Sequence, residues 1–531
     1  METNNHLNSY VTGKKGMVTS AHPLASKAGE RILKMGGNAI DAAIAVSSSL
    51  CVVEPYMSGL GGVGVCLVYL AEEKQTRALN FSGRCPRDID INGIVQDDLN
   101  SGPLSSLIPG VVSGWNELHQ KYGALDWDSL FESSIDYAIN GYELTPLGSH
   151  VISESSSKLK SSIEASELIL NNSGQIPKSG ETIKMPFLGN TLIEISKDSS
   201  AFYHGDLAEN IVNGNNSYGG VFCIEDLHSY KAEWQEPIGV SFKGYDVLTT
   251  PPNSSGFQIL QTLKILEDIE FDVPVFENID SIHTFLKAMQ LALKDRIEYS
   301  CDPEYQPVPI ERLLSKEYIN KLKKRLTSEN TEAILLESNR PKNEDRGMTT
   351  HFAVADQYGN VVSLTQTLGA FFGSGEVAGK TGVFLNNGCT WFSLNPNDCN
   401  YISPSKRVQF VLAPTQIFKD EKIHASVGTT GGYGILQTTP QIIYNLLSNG
   451  LDVQQSIDAP RFSTRDDSTL ILENEFSKQF KIGLDDKGYA IDNDFNDPMG
   501  LGAAHAIMIG SDGIFHGGAD LRRDGIAMGI N

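Results

Sequence analysis

A chain of 531 residues is long enough for one large layered domain or two to three ordinary ones. Its 40% hydrophobic and 20% charged content is that of a soluble globular protein, and no apolar run reaches the ~20 residues of a membrane span. A net charge of −23, from 42 basic against 65 acidic residues, argues against nucleic acid or an anionic membrane as a partner.

Residues 1–9 are polar and lack the basic-then-apolar pattern of an export signal, so a cytoplasmic protein is expected. The seven cysteines form an odd, scattered set without a CxxC pair, which fits a reducing compartment and neither a disulfide framework nor a zinc site. The 11 histidines show no HExxH or other metal-ligand spacing, so no metal and no cofactor is expected. The sequon at Asn171-Asn172-Ser173 means little without secretion.

Residues 25–35 read as a helix stopped by Gly36-Gly37. Asn38 then opens a second helix over residues 39–52, rich in small residues and apolar nearly all round, the pattern of a buried helix. A glycine-dense turn through Gly59, Gly61 and Gly62 feeds a strand over residues 63–70, and Pro109-Gly110 opens a helix near Trp115. Residues 153–200 are polar and serine-rich, as in surface helices and loops. Residues 258–269 make an amphipathic helix, and 316–340 read as helix followed by solvated loop. Beyond residue 349 the texture turns β-rich, with strands expected over 350–355, 360–367, 407–418, 424–427, 470–473 and 505–509 and a helix over 439–447. The stretch Gly373 to Thr381 resembles a phosphate-binding loop, but Ser374 stands where a glycine is required and no helix follows Lys380-Thr381.

The chain is organised around Gly347-Met348-Thr349-Thr350-His351-Phe352-Ala353-Val354-Ala355-Asp356. A polar run over residues 337–346 stops at a Gly-Met pair, and two threonines then open an alternating strand with Phe352 and Val354 on one face. A threonine in mid-chain is a poor nucleophile. If the Met348–Thr349 bond is cut, the freed α-amine, with a reference pKa of about 8, can take the hydroxyl's proton.

Several stretches together resemble the γ-glutamyltranspeptidase family of N-terminal-nucleophile hydrolases. They are Gly36-Gly37-Asn38-Ala39-Ile40-Asp41-Ala42-Ala43, Val53-Glu54-Pro55 through Gly62, Pro109-Gly110-Val111, Asp295-Arg296 with Asp302-Pro303, and Thr349-Thr350-His351-Phe352. Leu385-Asn386-Asn387, Gly431-Gly432, Ala459-Pro460-Arg461-Phe462 and Arg522-Arg523-Asp524-Gly525 follow in family order. The resemblance implies an α+β fold, the four-layer αββα sandwich of this hydrolase type, made as a single precursor. Residues 1–348 would form a larger, helix-rich N-terminal region and 349–531 a smaller C-terminal one beginning with the nucleophile. The two cleavage products would stay associated, with a homodimer an open alternative to a single copy. Carried onto this chain, cleavage falls between Met348 and Thr349, and Thr349 is the nucleophile. Thr367 matches the threonine bonded to its neighbourhood, and Gly431 and Gly432 match the oxyanion pair, whose backbone donors are worth about 3 kcal/mol of barrier each.

The glutamate-reading positions depart from the family. Ser82 stands at the place of the carboxylate-binding Arg, Gly369 at that of an Asn, Gly388 and Trp391 at those of a Gln and an Asp, and Phe410 and Val411 at those of paired serines. A buried α-carboxylate and α-ammonium need charged and hydrogen-bonding partners, so a different acyl group is expected. Trp391 and Phe410 would make the pocket more apolar, and Arg84 or Arg87 could pair a carboxylate placed differently. The Ser82-Gly83-Arg84-Cys85-Pro86 stretch resembles amidohydrolase and acylase branches of the family. The expectation is a self-processing N-terminal-threonine amidohydrolase acting on a small-molecule amide. The alternatives are a genuine γ-glutamyltransferase or glutathione hydrolase with an altered pocket, and a non-catalytic family descendant.

Overall fold

The computed structural model describes residues 10–171, 174–326, 348–493, 495, 499 and 501–531. The charged run 337–346, Gly347, the second half of the segment 316–340 read as helix and then solvated loop, and most of the sequon lie outside the described residues.

Local sequence rules account for the first helices. In α1 (Pro23–Lys34), proline occupies the first turn, where its missing N–H costs nothing, and Gly36 supplies the left-handed φ of +94° after the last turn. In α2 (Ala39–Val53), Asn38 Oδ1 accepts the N–H groups of Ile40 and Asp41, and the Asp41 carboxylate accepts the Asn38 N–H at 3.0 Å. All fifteen residues of α2 are buried, as its unbroken apolar surface requires.

Among the described strands of the two large sheets, seven precede the Met348–Thr349 bond: β1 (Val11–Gly13), β2 (Gly16–Ser20), β3 (Val63–Leu70), β4 (Gln75–Phe81), β5 (Glu233–Gln235), β6 (Ile238–Phe242) and β7 (Tyr245–Thr249). Seven more begin at or after it: β8 (Met348–Asp356), β9 (Val361–Gly369), β10 (Thr415–Lys419), β11 (Lys422–Thr429), β12 (Ala504–Ile509), β13 (Phe515–Ala519) and β14 (Ile526–Ile530). They interleave. One sheet runs β14-β2-β8-β9-β3-β4-β5 and the other β1-β13-β12-β11-β10-β7-β6. Both sheets therefore pair strands from either side of the candidate cleavage point, and separating the two products would mean tearing both sheets apart.

Alternation along β8 assigns the layers. Phe352 and Val354 join the core formed with α1 and α2, whereas Ala353 and Ala355 join a small cluster with Met17, Ile507 and Phe515 between the sheets. On the far side, Val247, Ile417 and Val427 pack with three helices, α3 (Phe257–Leu266), α4 (Ile279–Tyr299) and α5 (Ile435–Ser448). The order is helices, sheet, sheet, helices. This is the αββα arrangement.

Two sequence expectations change. Of the strand expected over 407–418, only Thr415–Lys419 pairs in a sheet. Upstream, the backbone N–H groups are taken by loops instead: Arg407 donates to Asp302 Oδ2 at 2.8 Å, Gln409 to Asn400 Oδ1 at 2.8 Å, and Phe410 to the Asn253 carbonyl at 2.9 Å. The amphipathic helix of 258–269 ends at Leu266 and is buried nearly all round, with Gln261 Nε2 donating to Asp295 and to the Leu313 carbonyl. The phosphate-loop look-alike forms one 3₁₀ turn, Gly379–Thr381, which no helix follows directly.

Candidate active site

β8 and β9 pair as a hairpin through the turn at Asp356, and the register sets Thr349 opposite Thr367 with an irregularity between Met348 and Thr349. Both threonines are buried, on the same face of β8 and β9 as His351 and Thr365. That face looks across to the second sheet, where a Cβ on Gly428 would meet the His351 ring at 2.2 Å.

Thr367 occupies a junction. Its Oγ1 donates to the Met348 carbonyl in a short hydrogen bond, lies 3.4 Å from Thr349 Oγ1, and accepts the Gly369 N–H at 2.8 Å. The carbonyl of the candidate scissile bond is thus polarised by a hydroxyl that also touches the candidate nucleophile. Gly369 reaches this position with φ of +103°, and a Cβ there would sit 2.1 Å from Asn387 Oδ1.

The strand end is clamped from behind. Arg523 Nη1 donates to the Thr349 carbonyl at 2.9 Å, and Thr350 Oγ1 donates to Glu54 Oε2 at 2.9 Å. Burial pushes the Glu54 carboxyl up to about 7 against the opposing pull of Arg523 and Thr350, and Asp524 pushes it the same way as burial. Asp524 is itself held above the usual carboxylate range by burial. His351 and His505, close together between the sheets, are held well below the ordinary histidine value by burial and are neutral.

Gly431 and Gly432 follow β11 with φ of +104° and +57°, and a 3₁₀ turn, Gly432–Gly434, leads straight into α5. Among the described residues neither glycine N–H meets an acceptor, which leaves two donors at a positive helix end. The turn is braced by Gly502, whose Cα lies 3.0 Å from where a Gly431 Cβ would be, and by reciprocal bonds between Thr430 and Ala503 at 2.9 and 2.8 Å. Buried Arg461 donates to the Gly502 carbonyl at 2.9 Å and pairs with Asp520 at 2.6 Å. Burial alone would raise the Asp520 carboxyl, but Arg461 and Arg522 hold it at about 2.

The predicted substrate-reading residues separate into two groups. Trp391 ends a short turn, Gly388–Trp391, and its Cη2 lies 3.5 Å from where a Cβ on Gly369 would be. Phe410 packs on it with ring centroids 5.1 Å apart. The two rings form an apolar wall at the end of β9 that carries Thr367. Arg84 instead belongs to an ion network, bonded to Glu304 at 2.8 Å and Glu233 at 3.2 Å, and Arg407 pairs with the same two carboxylates. Arg87 is engaged by Asp226 at 2.9 Å. Ser82 is buried against Asn253.

Sequence reasoning assigned no role to Glu54, Arg523, Arg461 or Asp520. The first three stand inside motifs that carried the family resemblance, and a buried charge within such a motif is the signal that could have singled them out. Asp520 lies just outside any motif.

A layered αββα sandwich with a buried threonine at a strand end is the architecture of an N-terminal-nucleophile type of hydrolase. The sequence model of the γ-glutamyltranspeptidase family matches residues 25–530, and the chain belongs to that family. It is 36% identical to the glutathione hydrolase-like YwrD proenzyme of Bacillus subtilis, over 99% of this chain and 100% of that protein. It is 30% identical to the acylase ACY 1 proenzyme of a Pseudomonas species, over 98% and 94%. The crystal structure of cephalosporin acylase from Bacillus halodurans superposes with a TM-score of 0.91 at 30% identity, covering 100% of this chain and 98% of that one. The protein is an amide-bond hydrolase of this family, a self-processed two-chain enzyme acting on small molecules.

Proposed function

We propose that the enzyme is an N-terminal-threonine acylase whose acyl pocket is apolar. In maturation, Thr349 Oγ attacks the Met348 carbonyl, the Met348–Thr349 amide becomes an ester, and water hydrolyses it to leave a Met348 carboxylate and a free Thr349 α-amine. Thr367 holds the carbonyl through the attack. In turnover the α-amine takes the proton of Thr349 Oγ, which adds to the substrate amide carbonyl, and the N–H groups of Gly431 and Gly432 stabilise the oxyanion. The leaving amine departs with that proton, and water resolves the acyl-enzyme.

One observation carries the substrate class: the Trp391 indole reaches the Gly369 turn with the Phe410 ring packed against it at a tilt. A charged α-amino-acid head would lose hydration against these rings and gain no partner. Arg84, neutralised by Glu233 and Glu304, orders the rim and leaves the acyl group to the aromatic wall. The second reading is glutathione hydrolysis, favoured by the names of relatives. A cytoplasmic setting fits the seven free cysteines.

Intact mass under denaturing conditions tests the maturation step. Two masses are expected, the smaller beginning at Thr349, and a single uncut chain for Thr349→Ala; a cut Thr349→Ala protein refutes the assignment. Hydrolysis of phenylacetyl and γ-glutamyl p-nitroanilides by the mature enzyme then separates the readings. Faster turnover of the phenylacetyl anilide is expected, and the reverse preference establishes the second reading.

A further inference from the structure

Trp391 and Phe410 are joined by a loop that closes on itself, with the Ser393 N–H bonded to the Asn400 carbonyl at 3.1 Å and the Ile402 N–H to the Ser393 carbonyl at 3.0 Å. Cys399 points from this loop onto the C-terminal end of α4. Its Sγ lies 3.4 Å from the Ser300 carbonyl and 3.7 Å from that of Glu298. The next residue after Ser300 is Cys301, whose Sγ donates to the Gln306 carbonyl at 3.3 Å, and the two thiols are near enough to perturb each other's ionisation. Cys399 is partly exposed and Cys301 buried.

A cation stands beside the pair. Buried Lys406 donates to the carbonyls of Cys399 at 2.8 Å and Tyr401 at 2.9 Å, and its ammonium faces both sulfurs together with Asp302 and Asp398. A positive charge next to a thiol favours the thiolate, the reactive form. A second thiol pair, Cys85 with Cys389, is wholly buried. Each pair has one member before residue 349 and one after it.

We propose that Cys301 and Cys399 are an oxidisable thiol pair, closed by a small-molecule disulfide into a bond that ties the wall loop to α4 and links the two chains of the processed enzyme. The Cys399 thiolate attacks the small disulfide RSSR, forming a Cys399–SR mixed disulfide and releasing RS⁻. The Cys301 thiolate then attacks Cys399 Sγ and expels the second RS⁻. One RSSR is reduced to two RSH as the two thiols are oxidised, and no other reactant is needed. The neighbouring Cys399 and burial both hold the Cys301 thiol well above its ordinary value, so the partly exposed Cys399 reacts first and ring closure is the slow step.

The test uses the mature enzyme incubated with hydroxyethyl disulfide, quenched with N-ethylmaleimide, and read on a non-reducing denaturing gel and by tryptic peptide mapping. The two chains should merge into one band that dithiothreitol splits again, with the Cys301 and Cys399 peptides joined. Cys301→Ser and Cys399→Ser should each abolish the merged band, and Cys389→Ser should keep it. Two bands with only a hydroxyethylthiol adduct on Cys399 overturn the proposal, as does a link mapped to Cys85 and Cys389. The peptide map reads the bond in an uncut chain too, so a failure of self-processing is distinguishable from a failure of the thiol pair.

Discussion

Two walls meet at the end of the β8–β9 hairpin, and they are built differently. Around Thr349 the contacts are polar, short and mostly to backbone: Thr367 holds the Met348 carbonyl, Arg523 the Thr349 carbonyl, and Glu54 the neighbouring Thr350 hydroxyl. Around Trp391 the contacts are aromatic, and the charges of Arg84 and Arg407 are already matched by Glu233 and Glu304. In the proposed mechanism the first wall holds a bond-breaking geometry that any acyl group can use. The second would meet the acyl group itself, so changing it should alter the substrate without touching the chemistry.

The sharpest way to break this division is to weaken the first wall without emptying it. Thr367→Val keeps the shape of the side chain and removes its hydroxyl, so the Met348 carbonyl loses its donor. Self-processing should slow roughly 10²- to 10³-fold, the cost of one lost oxyanion donor. A time course of the cut fraction by mass spectrometry checks it. Unchanged processing would move the polarising role to another group.

On the second wall, Trp391→Ala should lower kcat/KM for an apolar acyl anilide by roughly 10- to 100-fold, since one lost apolar contact surface is worth about 1–3 kcal/mol. Processing should be unaffected. A variant that instead stalls as the precursor would show that the aromatic wall supports the cut site, and the separation of the two walls would fail.

How far each wall could be read in advance follows from the same contrast. The two strands and their turn are written in local alternation, and Phe352 and Val354 facing the helices while Thr349 faces the other sheet follows from the two-residue period. The Gly431-Gly432 turn is legible because left-handed backbone selects glycine. The partners of Arg84 were not legible: Glu233 and Glu304 stand 149 and 220 residues away, and only the fold brings them together. Residues 407–414 misled for a related reason. Their alternation is strand-like, but their N–H groups find side chains and loops from distant segments. The clamp was half visible, since Glu54 and Arg523 stand in short motifs whose meaning is the buried charge between them.

That clamp makes a pH prediction. Glu54 is raised from 4.5 to about 7 in the folded protein, so between those values the folded state holds a proton that the unfolded state has lost. Stability therefore falls as pH rises through this window, by about 3 kcal/mol once both states have ionised. Glu54→Gln keeps an oxygen for the Thr350 hydroxyl and cannot ionise. Its denaturant midpoint should change less from pH 5 to pH 8 than that of the parent. Parallel profiles would mean that another group, Asp524 foremost, holds the proton.

The smallest effect belongs to Arg84→Ala. The variant leaves Arg407 bonded to both Glu233 and Glu304, and these carboxylates are nearly half exposed, with side-chain exposures of 42% and 49%. Water can then take over what Arg84 supplied, and pairs of this exposure contribute about 0–1 kcal/mol. Stability should move by no more than that, and kcat/KM for an uncharged acyl anilide by less than about threefold. For a substrate whose acyl group ends in a carboxylate, a rise in KM well beyond threefold with kcat unchanged would show that the guanidinium leaves its glutamates to meet the ligand. The apolar wall would then read only the near end of the acyl chain, and the second wall would itself have two parts.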